Sequence, residues 1–190
     1  GIQPNILQSL LENPIILSNE KLYDIHSVLF VKHHFYIVGT HNNEILKLDK
    51  NGNLVKKWKI NIEKDSWHIN SICLFNNRII FSAFGNFSKT REYKKGTKGH
   101  GFVQDLFTGK KLIKGLSQPH SLYSFDNKLF LADSESKSVN IYDRNYELLN
   151  KKKFNGYTRG ILVRNDKLYG GLSALRNIKK NIFKSARIVV

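Results

Sequence analysis

The sequence predicts an all-β protein, a β-propeller built from four-stranded antiparallel blades. A polar residue, a small residue and an apolar strand recur four times, and a short polar turn follows each such strand. Second, third and fourth strands then follow in the same order. Four short strands in roughly 40 to 50 residues are typical of a propeller blade. A β-sandwich would contain short strands without this repeated four-part order.

The first strand of each repeat begins at a polar residue. These residues are His26, Asn70, His120 and Arg159, which lie 44, 50 and 39 residues apart. Three of the four following turns consist of Asn and Asp, at 76–77, 126–127 and 165–166. Both residue types tolerate the left-handed backbone of tight hairpins, so a second antiparallel strand is expected after each turn.

The remaining strands are predicted in chain order. Second strands are expected at 35–40, 79–85, 129–134 and 168–173, third strands at 44–49, 101–105 and 138–143, and fourth strands at 54–60, 111–114 and 148–154. Residues 14–18 are interpreted as the remainder of a preceding blade, and 186–190 as one further strand. We therefore expect three full and two partial blades in a single domain, 1–190. The domain is expected to be truncated in this chain, because an open ring leaves sheet edges unpaired.

The chain is strongly basic, with a formal net charge of +16 from 31 Lys and Arg against 15 Asp and Glu. A field of this sign favours anionic partners. The lysines are scattered over turns and strands without a nucleic-acid-binding motif, so nucleic acid is not the expected partner. An anionic small molecule or a glycan is the expected ligand, and an oligomer stays open if the chain is complete.

Cysteine content and hydropathy bear on the location of the protein. Cys73 is the only cysteine and lies in an apolar strand, so it is interpreted as part of the core. The absence of an internal disulfide favours a reducing compartment, and we expect the cytoplasm. No apolar run approaches the roughly 20 residues that cross a bilayer, and no signal peptide is visible.

The residues that open the first strands predict a binding site. First strands lie nearest the axis of a propeller, so His26, Asn70, His120 and Arg159 should surround one mouth of the central channel. His26, His68 and His120 could hold a divalent metal with an open position for water or substrate. Alternatively, each His or Asn fixes a turn to a neighbouring carbonyl. The guanidinium of Arg159 disfavours a second cation and favours a bound anion.

The ends of the second strands supply one candidate for catalysis. Asp133 is the only carboxylate at these ends, which makes it the best candidate for a general base if the protein is an enzyme. The alternative is that Asp133 accepts backbone hydrogen bonds at the end of its strand.

An insertion at 86–100 makes the second repeat the longest, and it is rich in Lys, Arg and Gly. Glycines allow backbone N–H groups to converge on an anion, and Arg91 and Lys94 would reinforce the binding. The insertion lacks the spacing of a P-loop. Two interpretations stay open: a solvated flexible loop, or a lid or phosphate and sulfate clamp over one face of the ring.

Several motifs occur together in this repeat. They are Asp24-Ile-His26, the Asp49-x-x-Gly52 turn before Trp58, His68-Ile-Asn70, Arg91-Glu-x-Lys94 with Gly99-x-Gly101, Gly115-Leu-Ser-Gln-Pro-His-Ser121, 129–134 and 171–173. Over residues 20–175 they resemble an uncharacterised bacterial family of propeller-like proteins, domain of unknown function 4915. Trp67 departs from the pattern, in which a cysteine is expected. The resemblance implies a propeller often found near surface-carbohydrate or sulfotransfer functions, without an established activity.

The sequence therefore predicts a ligand- or partner-binding propeller with a polar, basic channel mouth suited to an anionic or carbohydrate group. The alternative is a metal-assisted lyase or hydrolase that uses the channel histidines. No Gly-x-Ser-x-Gly elbow, His-Glu-x-x-His pair or Cys-x-x-Cys motif occurs in the chain. Enzymatic activity is accordingly left open.

Overall fold

A computed structural model describes residues 23–173 and 186–190. In these residues the chain forms fifteen β-strands in four antiparallel sheets and one short 3-10 helix. Each sheet is one blade, in which every strand pairs with the next strand along the chain. None of the helical structure in the described residues is long and apolar enough to cross a membrane. The predicted all-β propeller of four-stranded antiparallel blades is confirmed.

The strands follow the predicted order. Blade 1 contains β1 (Ile25–Val31), β2 (His34–Gly39), β3 (Glu44–Leu48) and β4 (Leu54–Lys59). Blade 2 contains β5 (Ile69–Phe75), β6 (Arg78–Ala83), the 3-10 helix (Glu92–Lys95), β7 (Gly101–Asp105) and β8 (Lys111–Leu116). Blade 3 contains β9 (Pro119–Phe125), β10 (Lys128–Asp133), β11 (Ser138–Tyr142) and β12 (Leu148–Lys153). Blade 4 contains β13 (Tyr157–Arg164), β14 (Lys167–Ser173) and β15 (Arg187–Val189).

Blade 4 has three strands within the described residues. The strand predicted at 186–190 is β15, and it pairs antiparallel with β14 as the third strand of this blade. The remainder of a preceding blade, predicted at 14–18, lies outside the described residues. The described part of the chain therefore contains three four-stranded blades and one three-stranded blade.

The turns between first and second strands explain the recurrence of Asn and Asp. Asn76 and Asn77 have φ angles of 47° and 59°, and residues 126–127 and 165–166 adopt the same left-handed conformation. A two-residue hairpin turn of type I′ needs positive φ at both positions, and Asn and Asp accept this conformation at low cost. The turn residues therefore fix the register of each first hairpin.

The small residue after each opening has a structural reason in two blades. Ser27 Oγ accepts a hydrogen bond from the backbone N–H of Ile72 in blade 2 at 3.3 Å. Ser71 Oγ accepts the corresponding bond from Leu122 in blade 3 at 2.9 Å. These bonds join the first strands of neighbouring blades beside the channel.

The apolar core lies between adjacent blades. Tyr36 and Val38 of blade 1 pack with Ile72 and Phe81 of blade 2 in one cluster. Cys73 belongs to the next cluster, between blades 2 and 3. Burial raises the pKa of its thiol to about 11, so this cysteine is an unreactive core residue.

Candidate functional site

Each first strand carries an irregularity in its pairing near its start. In blades 1 and 2 the register shifts between Ile25 and Ser27 and between Ile69 and Ser71, and blades 3 and 4 show the corresponding shift. The residues at this position are His26, Asn70, His120 and Arg159. A bulge re-aims the side chain that it contains, and bulges are frequent beside functional sites. The four residues that open the first strands therefore occupy equivalent positions in their blades.

A cavity of about 570 Å³ lies at this end of the first strands, and residues from all four blades contribute to it. The volume is within the range of small-molecule sites. Six of the predicted site residues line it: His26, His68, His120, Arg159, Arg91 and Lys94.

Two predicted residues do not line the cavity. Asn70 is only 5% exposed, and His68, two positions earlier, lines the cavity in its blade. The buried carboxylate of Asp133 accepts a hydrogen bond from the backbone N–H of Ser117 at 2.6 Å and lies 3.8 Å from the Lys151 ammonium. These contacts fit the structural alternative for Asp133, and they give no support to the prediction of a general base there.

His120 and Arg159 form one side of the cavity. His120 Nδ1 lies 2.9 Å from the carbonyl oxygen of Gln118 and 2.7 Å from Ser134 Oγ. Arg159 Nη1 donates to His120 Nε2 at 2.5 Å, and its guanidinium lies 4.8 Å from the centre of the Tyr157 ring. Burial, followed by the charge of Arg159, lowers the pKa of His120 to about 3. The imidazole is therefore neutral, and both of its nitrogens are engaged.

Asp65, which the sequence analysis did not identify, organises the other side. Its carboxylate is 2% exposed and accepts hydrogen bonds from Arg91 Nε at 2.9 Å and from the Tyr93 hydroxyl at 3.0 Å. Its Oδ1 lies 2.7 Å from His68 Nδ1. Burial raises the pKa of Asp65, but the bonds to His68, Arg91 and Tyr93 outweigh burial and leave the pKa below its usual value. Asp65 is therefore an anion at neutral pH.

The His68 ring is enclosed by aromatic neighbours. Its centre lies 4.3 Å from that of Phe84, 4.5 Å from that of Tyr93 and 5.1 Å from that of His26. Burial lowers the pKa of His68, and the hydrogen bond and charge of Asp65 raise it. The effect of burial is larger, so the pKa lies below its ordinary value. At neutral pH the pair therefore consists of a neutral imidazole and an ionised carboxylate.

The insertion 86–100, called the lid below, connects two sides of the cavity. The backbone N–H of Arg91 donates to the carbonyl oxygen of Asp65 at 3.0 Å. Further along the lid, Thr97 Oγ1 donates to Glu135 Oε2 at 2.6 Å and accepts from Gln118 Nε2 at 2.8 Å. Both halves are therefore folded against the blades, and the interpretation of the insertion as a lid or a phosphate and sulfate clamp stays a prediction.

Cations line the cavity on the lid and on blade 4. They are Arg91, Lys94, Lys95 and Arg159, and the carboxylates that line it are Asp24, Asp65 and Glu135. Asp65 is occupied by its three polar neighbours, and Glu135 accepts from Thr97. Four cations against three carboxylates leave a lining with one net positive charge, which favours an anionic group.

The histidines predicted as metal ligands line the same cavity, but they do not form a metal cluster. Among residues 23–173 and 186–190, no group of three or more His, Cys, Asp or Glu side chains is arranged to hold a metal ion. Both ring nitrogens of His120 are already engaged, Nε2 by Arg159 and Nδ1 by the carbonyl oxygen of Gln118. The geometry therefore gives no support to the metal-assisted alternative.

The fold recurs in solved structures of low sequence identity. The computationally designed Ika4 protein has a TM-score of 0.55 and 13% identity, over 90% of this chain and 93% of that chain. The designed Ika8 protein has a TM-score of 0.52 and 14% identity, over 78% of this chain and 42% of that chain. A protein of unknown function from Bacteroides caccae has a TM-score of 0.51 and 14% identity, over 80% and 54%.

These structures show the fold alone, because their sequences are so distant. The chain spans less than half of Ika8 and 54% of the Bacteroides caccae protein. No curated protein sequence matches the chain. One family, described as domain of unknown function (DUF4915), matches residues 17–189, which is most of the sequence. The chain therefore belongs to the DUF4915 family.

Proposed function

We propose that the protein is a ligand-binding propeller whose cavity takes the anionic group of a small molecule or glycan. The observation that carries this proposal is the position of the cations: Arg159 comes from blade 4, and Arg91, Lys94 and Lys95 come from the lid. The propeller fold is consistent with a binding role in general. The sequence-based expectation of an anionic ligand also agrees with this arrangement.

The two arginines would supply most of the affinity. The Arg159 guanidinium is positioned by His120 Nε2 and by the Tyr157 ring, and Arg91 is fixed through its Nε at Asp65. A guanidinium held in this way loses little conformational freedom when it binds sulfate, phosphate or carboxylate. The Arg91 side chain is 54% exposed, which leaves its terminal nitrogens accessible to a ligand.

The two lysines would contribute a weaker, salt-dependent attraction. Lys94 and Lys95 lie on the 3-10 helix of the lid and are exposed to solvent. Charges in such positions are screened by salt, whereas the half-buried guanidinium of Arg159 is screened less. Binding should therefore weaken only partly as the ionic strength rises.

Calorimetric titration with glucose 6-sulfate and glucose 6-phosphate tests the proposal. The Arg159→Ala variant should bind these probes roughly tenfold or more weakly than the unaltered chain, because it loses charge-assisted hydrogen bonds. Arg144→Ala is the matched control, since Arg144 lies in an exposed turn and does not line the cavity. Failure of the unaltered chain to bind either probe, or equal binding by the Arg159 variant, would contradict the proposal.

A titration with heparin distinguishes a site from general attraction to charge. If heparin and the sugar esters bind through net charge alone, moderate salt should remove both interactions, and Arg159→Ala should weaken them no more than Arg144→Ala does. Binding at the cavity predicts the opposite result for the sugar esters, a difference between these two variants.

A further inference from the structure

We infer that the ligand of this cavity is an anion that also carries hydroxyl groups, one of which donates a hydrogen bond to Nε2 of His68. This inference rests on the proposed function and adds the chemical class of the ligand. It follows from the contacts of the His68 ring and from their contrast with those of the other two histidines in the cavity.

The hydrogen bond to Asp65 determines the tautomer of His68. Nδ1 of His68 lies 2.7 Å from Oδ1 of Asp65, and an ionised carboxylate can only accept a hydrogen bond. Nδ1 therefore carries the proton, and the neutral imidazole has its lone pair on Nε2. The Asp65 carboxylate is itself held by Arg91 and Tyr93, so this orientation of the ring is stable.

The lone pair on Nε2 is available to a ligand. Within the described part of the chain, Nε2 of His68 has no hydrogen-bond partner, and the residue lines the cavity. The contacts with Phe84 and Tyr93 restrict rotation of the ring. His68 therefore presents a fixed hydrogen-bond acceptor beside the cations of the lid.

The other two histidines are engaged or held differently from His68. Both ring nitrogens of His120 are engaged, and Arg159 occupies its Nε2. His26 is hydrogen-bonded through Nδ1, which lies 3.1 Å from the carbonyl oxygen of Asp24. Its side chain is 27% exposed, against 14% for His68. His68 is therefore the pre-organised acceptor of the cavity.

An acceptor beside several cations selects for a particular kind of ligand. Arginine and lysine donate hydrogen bonds to the oxygens of an anion, but a bare sulfate or phosphate diester offers no proton to Nε2. A hydroxyl group near the anion supplies that proton. A ligand without such a hydroxyl would displace water from Nε2 and leave this acceptor unpaired, which disfavours that ligand.

Titration of two probes against two proteins tests this inference. Glucose 6-sulfate should bind the unaltered chain more tightly than methyl sulfate. The His68→Phe variant should bind glucose 6-sulfate roughly three- to tenfold more weakly, the effect of one hydrogen bond, and methyl sulfate with less than about a twofold change. His68→Gln retains an acceptor oxygen and should recover part of the loss. His34→Phe, outside the cavity, is the matched control and should behave as the unaltered chain.

The outcomes separate this inference from the proposed function. Equal affinity of the unaltered chain for both probes would overturn the inference and leave the anion site standing, as would equal loss of both probes in His68→Phe. Binding of neither probe to the unaltered chain would overturn both. If His68→Phe fails to fold, nitrogen NMR of the unaltered chain decides: the Nε2 resonance of His68 should move on addition of glucose 6-sulfate and stay unchanged with methyl sulfate.

Discussion

The channel mouth and the outer edge of the blades use charge in different ways. At the mouth, the buried carboxylate of Asp65 has three polar neighbours, and Arg159 is fixed by His120 and Tyr157. At the outer edge, the strands β4 and β12 are almost wholly exposed, and they carry three lysines each. The comparison separates charges that are organised around a buried carboxylate or a half-buried guanidinium from lysines on exposed strands.

This difference shows that net charge is a poor guide to the site. The lysines of β4 and β12 are six of the 31 Lys and Arg residues, and none of them lines the cavity. Lysine on an edge strand opposes pairing with another sheet, which is a sufficient structural reason for its presence. The information about a ligand lies in the few charged groups at the mouth. Substitutions should therefore have large effects at the mouth and small effects at the edge.

The largest effect is expected at Asp65. In Asp65→Asn, the hydrogen bonds to Arg91, Tyr93 and His68 lose the negative charge of their acceptor. The new amide N–H groups also point toward N–H and O–H groups that can only be paired with an acceptor there. We expect the free energy of unfolding to fall by about 2 kcal/mol and trypsin to cleave the lid faster. Denaturant titration and limited proteolysis measure these effects. Asp126→Asn, in an exposed turn, is the matched control, and equal changes in both variants would contradict this role of Asp65.

Acidification should produce the next largest effect. Folding lowers the pKa of His120 from an ordinary value of 6.5 to about 3. Between these two pH values the imidazole is protonated in the unfolded chain and neutral in the folded chain. The contribution of His120 to the free energy of unfolding is therefore fully present above pH 6.5, and it decreases as the pH falls toward the folded-state pKa of this residue. The slope is at most about 1.4 kcal/mol per pH unit for this group. His68, whose pKa is also lowered, acts in the same direction.

Denaturant titrations between about pH 7.5 and about pH 5 measure this dependence. The His120→Gln variant, which cannot take up the proton, should lose stability less steeply over the same range. The carboxylate of Asp65 takes up its proton at lower pH, because its folded-state pKa lies below 3.8. A pH-independent stability of the unaltered chain over this range would contradict the burial of a neutral His120.

The blades could be predicted from the sequence because their signals are local. Asn76 and Asn77 mark a turn by their own backbone preferences, and the polar opening of each first strand repeats in register. That register brought His26, His120 and Arg159 to the same cavity. The repeat therefore predicted the fold and three of the six predicted residues that line the cavity.

The rest of the site depends on contacts that no repeat encodes. Asp65 lies in the connection between β4 and β5, and its partners Arg91 and Tyr93 are 26 and 28 residues away in the lid. Asn70 shares the position of His120 and is equally buried, but only His120 lines the cavity. An equivalent position in the repeat therefore did not guarantee an equivalent place in the cavity.

The smallest effect is expected at the outer edge. Lys57 and Lys152 are exposed on β4 and β12, and neither lines the cavity. The double variant Lys57→Gln/Lys152→Gln should change the free energy of unfolding by less than about 0.5 kcal/mol. Its affinity for glucose 6-sulfate should stay within about twofold, while heparin binding weakens because that interaction follows total charge. The contradicting result is a loss of affinity for glucose 6-sulfate as large as the loss caused by Arg159→Ala. The edge and the mouth would then attract the ligand through the same long-range field, and the distinction between them would not hold.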